Sequence, residues 1–148
     1  MARYAVDLHR TASLTLAVGH VAASATPRRI KLNYLAFGVE GAAADAASRW
    51  DVNRSTTDGT STSVTPLPLD PADAAALSVA SENHTVNGTV TSGEILLSVP
   101  VNQRAVFQWY APPGGELVIP ATDNAGVHIM TPTAPLLACT ATVHFDEQ

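Results

Sequence analysis

Short alternating segments recur about every ten residues along this chain, and each is closed by residues that favour a reversal. Segments 84–91, 94–100, 104–111, 115–120, 126–130 and 136–146 read as strands. Between them stand Asn87-Gly88, Ser92-Gly93, Asn102-Gln103, Pro112-Pro113-Gly114-Gly115 and Thr122-Asp123-Asn124. Earlier, Leu14, Leu16 and Val18 alternate with Ser13, Thr15 and Ala17 over 13–21. Residues 28–38 set Ile30, Leu32, Tyr34 and Ala36 on one face, with Leu35 and Phe37 on the other. The GAAADAAS run at 41–48 reads as a loop. Helices do not alternate with these strands, so a parallel α/β sheet is not supported. The pattern predicts an all-β protein, a β-sandwich of jelly-roll-like form, with an immunoglobulin-like sandwich as the alternative.

Residues 49–77, RWDVNRSTTDGTSTSVTPLPLDPADAAAL, carry the densest local signals. Trp50 and Val52 alternate with Asp51 and Asn53, and Asp58-Gly59 supplies a turn before the Thr/Ser/Val run at 60–65. Pro66 and Pro68 each remove a backbone donor, which bars this piece from the middle of a sheet. Asp70 as cap, Pro71 at the first position and the alanines that follow predict one short helix over about 71–80.

The N-terminus has Ala23-Ser24-Ala25, a signal-peptidase-like triplet, but Asp7, His9, Arg10 and Gly19-His20 break the pattern of a leader. It is expected to be part of the mature protein, with 1–12 as an N-terminal arm and 13–148 as one β-sandwich domain. No run approaches the ~18 apolar residues of a membrane span, and no membrane partner is expected.

Charged residues make up only 14% of the chain, against about 25% in an average soluble protein. Such a surface, rich in Ser, Thr and Asn, suits contact with protein. The net charge of −5 predicts no nucleic-acid partner. One basic cluster, Arg28, Arg29 and Lys31, reads either as a solvated edge that discourages strand pairing or as a dock for an acidic partner patch. The single cysteine, Cys139, allows no disulfide within the chain and reads as a buried thiol. Three Asn-x-Ser/Thr triplets, at Asn53, Asn83 and Asn87, arise readily in so Ser/Thr-rich a chain.

Catalytic motifs are not found: there is no G-x-S-x-G, no phosphate loop and no H-E-x-x-H. Of the five histidines, His128 and His144 with Asp146 form the arrangement best suited to a divalent ion, and Asp7 with His9 is a weaker one. Neither stands out from chance, so no metal, cofactor or catalytic residue is expected. Trp50, Trp109 and Tyr110 form a conceivable stacking platform for a sugar. The two tryptophans read as core, which leaves Tyr110, beside Pro112-Pro113, as the exposed aromatic contact.

Several segments together resemble a family of small virion proteins of tailed bacteriophages: TPRR at 26–29 with the strand behind it, the 49–77 stretch, SENHT, NQRAVFQW, PGGELVIPAT and the closing TATVHFDE. They cover most of the chain from residue 26 onward. The resemblance implies a noncatalytic capsid decoration or cement protein on the outer surface of the head, made in the bacterial host cytoplasm. Its partners would be the major capsid protein and itself, as a homotrimer. Residues 1–12 would then order against a neighbour. A carbohydrate- or receptor-binding β-module of a virion fibre or spike is the alternative, and a small hydrolase on a sandwich scaffold ranks third.

Overall fold

A computed structural model describes residues 2–11, 16–132 and 137–148. Among these the strands are β1 (Arg3–Arg10), β2 (Gly19–Ala22), β3 (Ile30–Glu40), β4 (Ala47–Ser55), β5 (Gly59–Val64), β6 (Leu67–Pro68), β7 (Val79–Asn87), β8 (Val90–Asn102), β9 (Phe107–Tyr110), β10 (Leu117–Ile119), β11 (Gly126–Met130) and β12 (Ala138–Glu147). They build two antiparallel sheets. Sheet A runs β10-β3-β12-β1-β6, with β9 also on β3, and sheet B runs β5-β7-β2-β11-β4-β8. The pairings are nested: β1 with β12, β2 with β11, β3 with β9 and β10, β4 with β8. A long hairpin rolled up on itself gives this order, which is the jelly roll. The 56–89 region is an insertion that adds β5 and β7 to one side of sheet B and β6 beside β1.

Alternation along each strand fills the space between the sheets. Tyr4, Val6 and Leu8 of β1 and Cys139, Ala141, Val143 and Phe145 of β12 point inward. Val21, Trp50, Val52, Val127 and Ile129 meet them from sheet B. Trp50 lies flat on Phe37, with ring centroids 4.9 Å apart and planes 3° from parallel. Each buried Val, Leu, Ile or Phe among them contributes about 1.5–3 kcal/mol through removal of apolar surface from water.

Four expectations are corrected. No helix forms over 71–80: Asp70 caps only one turn, through Ala72 N–H to its carboxylate at 2.9 Å and Asp73 N–H to its carbonyl at 2.9 Å. Beyond it the Glu147 carboxylate takes the amides of Leu77 and Ser78, and the Tyr4 hydroxyl donates to the Ala74 carbonyl. An alanine run has no apolar stripe to bury, so these tertiary bonds outweigh a costly helix nucleus. Residues 3–10 are not an arm, because β1 lies between β12 and β6 with its apolar face in the core. Asp58-Gly59 is not a turn leading back along β4: Asp58 lies in the 56–58 connection, Gly59 begins β5, and β5 pairs with β7 and not with β4. Tyr34 does not share a face with Ile30 and Leu32. The strand expected over 13–21 is described only in part, with β2 beginning at Gly19, and 12–15 lie outside the described residues.

Candidate functional site

The fate of Tyr34 explains the first candidate site. On β12, His144 pairs with Tyr34 and the adjacent Phe145 pairs with Leu32, so Asn33 is an extra residue in β3. Such a bulge reverses the faces of the strand beyond it. Leu35 and Phe37 therefore turn into the core and Tyr34 turns out. On the outer face of sheet A its ring meets Tyr110 and His144, each with centroids 4.8 Å away. Tyr110 is 67% exposed.

These rings stand in an open groove of about 640 Å³ that is also lined by Arg3, Glu116 and Asp146. Asp146 accepts from Arg3 Nε at 3.3 Å and from Asn33 Nδ2 at 3.2 Å, which holds its carboxylate in place beside the groove. Burial foremost, and then Tyr110, raise the Tyr34 hydroxyl above its ordinary value, so it stays protonated and able to donate. Aromatic faces beside carboxylate and guanidinium groups suit a ligand with an apolar C–H face and hydroxyls at its edge, as in a pyranose.

The second site lies on the opposite sheet. Val21, Val127 and Ile129 face the core, so their neighbours His20 on β2 and His128 on β11 face outward, directly paired across the ladder. They are nevertheless buried, because the 56–58 connection crosses over them. Its Asp58 gathers the cluster: carboxylate Oδ1 accepts from Ser81 Oγ at 2.5 Å, His84 Nε2 at 2.8 Å and His20 Nδ1 at 3.1 Å, and Oδ2 accepts from Ser61 Oγ at 2.7 Å. His128 Nε2 donates to the Asp58 carbonyl at 3.0 Å. The other ring nitrogen of His20, Nε2, is hydrogen-bonded with the Ser55 hydroxyl at 2.9 Å.

Two glycines make this possible. Gly59 has φ of 94°, and a Cβ there would lie 2.2 Å from the Val86 carbonyl oxygen. At Gly126 a Cβ would sit 2.4 Å from His20 Nε2, so only glycine leaves room for that ring.

Electrostatics follow from burial. Burial pushes the Asp58 carboxyl up, but the hydrogen bonds from His20, Ser81, Ser61 and His84 outweigh it and hold it well below its ordinary range. Burial lowers His84 against the opposing bond to Asp58. Burial and then the proximity of His20 push His128 down to about 3.

The expected site residues are dispersed. His144 and Asp146 stand in the groove on sheet A while His128 is in the cluster on sheet B, so the three do not converge. Asp7 bonds Thr142 at 2.7 Å and His9 faces Glu40 at 3.5 Å, both on exposed faces. Trp50 is core and Trp109 is half-buried against it. Arg28 and Arg29 are exposed just before β3, and Lys31 is half-buried within it. The His20–Asp58–His84–His128 cluster was not anticipated, since its members are up to 108 positions apart (128 minus 20) and only pairing brings them together.

No protein-family model, no curated protein and no solved structure matches this chain.

Proposed function

We propose that this chain is a noncatalytic virion structural protein, a decoration or cement protein that binds the outer surface of a tailed-phage head and itself as a trimer. The sequence resemblance supplies the partner. The observation that supports it from the fold is the β5 edge of sheet B. β5, GTSTSV, contains no charged residue and no proline, whereas β8 at the other end carries Glu94 and Pro100. Val86, beside β5, is 56% exposed. Edge strands that remain free in solution are ordinarily blunted by lysine, proline or burial. The β5 edge, with neither charge nor proline, suits strand pairing with a neighbouring copy or a capsid subunit. Arg28 and Arg29, exposed and outside any ion pair among the described residues, add a docking point for an acidic capsid patch. The test is co-sedimentation of the purified protein with empty heads, together with its mass in solution.

The groove around Tyr110 favours a second reading, a carbohydrate- or receptor-binding module of a fibre or spike. A glycan array probed with the native protein and with Tyr110→Ala separates the two readings. Binding that needs Tyr110, with no affinity for heads, would favour the module.

A further inference from the structure

We propose that His20, His128 and Asp58 hold a divalent transition-metal ion, with His84 in reach as a fourth ligand. One ligand atom from each of the three residues lies within 4.8 Å of the others, and His84 Nε2 is 2.8 Å from the same carboxylate oxygen. Three imidazoles and a carboxylate are the donor set of zinc, and four-coordination with no open position is the pattern of structural zinc. Calcium and magnesium, which take oxygen ligands, do not fit.

A further observation points to a ligand. The groups that orient metal ligands are in place: Ser61 and Ser81 hold the carboxylate, and Ser55 holds the far nitrogen of His20. Gly126 preserves the space the His20 ring occupies.

The rings of His20 and His128 stack 4.3 Å apart at 22°. An ion bound at about 2.0–2.1 Å from each nitrogen requires them to turn out of that stack, each moving the proton it now shares with Asp58 to its other ring nitrogen. The ion would pin the 56–58 crossing to β2, β7 and β11, fastening the insertion that carries the β5 edge to the jelly roll.

The test uses full-length protein stripped with chelator and titrated with Co²⁺ and Zn²⁺. One Co²⁺ per chain with the visible absorption of a four-coordinate ion is expected. Zinc at about 100 times its Kd is expected to raise Tm by about 5–10 °C. Asp58→Asn and His128→Gln are each expected to weaken binding at least tenfold, while His9→Ala and His144→Ala leave it unchanged. Should the first pair fail to fold, imidazole ¹⁵N shifts of the native protein decide. Zinc-dependent shifts at His20 and His128 support the site. Shifts confined to His9 or His144, or no saturable binding, overturn it.

Discussion

His20 and His128 face one another across β2 and β11 with rings stacked 4.3 Å apart, on the outer face of a sheet yet shut off from water. Two imidazoles so placed cannot both carry charge at modest cost, and Asp58 reaches only one of them with its carboxylate. His84 and His128 are thus disfavoured as cations, while Asp58 is held ionised beside them.

Acid should loosen this cluster first. His128 titrates at about 3 in the fold and near 6.5 in the unfolded chain, and His84 is lowered in the same sense. Below pH ~6.5 the unfolded state then binds protons that the folded state refuses. Stability falls as pH drops from there, by up to about 1.4 kcal/mol per pH unit for each group. Asp58, also lowered, extends the loss below about pH 4. Urea midpoints measured from pH 7.5 to pH 4 should fall steadily with acid, and a flat profile would contradict the assignment.

Removing the carboxylate should cost more than a surface change. Asp58→Ala leaves His20, His84, Ser61 and Ser81 without their acceptor. A loss of about 3 kcal/mol is expected at pH 7.5, from several donors left unpaired. Gly59→Ala is expected to cost about 1–3 kcal/mol through strain at its positive φ and the clash with Val86. Denaturant unfolding of each variant measures both.

Trp50→Ala tests the core. The ring is fully buried against Phe37, and its loss should destabilise the chain by about 3–5 kcal/mol. Tyr110→Ala, on the exposed groove, should change stability by less than about 0.5 kcal/mol. Parallel thermal scans of the two variants report the contrast.

Single-residue charge on the free edge tests the assembly reading. Thr62→Lys and Ser63→Lys place ammonium groups on β5, which now has none. Self-association and capsid binding should each weaken at least tenfold, with stability nearly unchanged, as followed by light scattering and by head-binding isotherms. Unaltered association would move the interface elsewhere.

The sandwich was legible because turn residues punctuate strands whose period is two, as Gly126–Met130 illustrates, being read and found with the same bounds. What escaped depended on single-residue events and on partners far away in sequence. The bulge at Asn33 moved Tyr34 from the core to the groove, and no periodicity marks an inserted residue. Asp58 was expected to turn the chain, but it lies in the connection before β5, and its carboxylate partners come chiefly from β2 and β7, which composition cannot align. The 71–80 segment had good helix caps and lost to bonds from Glu147 and Tyr4, both at the far ends of the chain. Tyr110 was identified as exposed because prolines follow it, and its exposure bears that out.

The most direct test of the proposed role is the binding isotherm of the purified protein on empty phage heads, followed by sedimentation. Saturation at a fixed number of copies per capsid subunit is expected, with a trimer in solution or on the head. A monomer that stays in the supernatant at every concentration would contradict it.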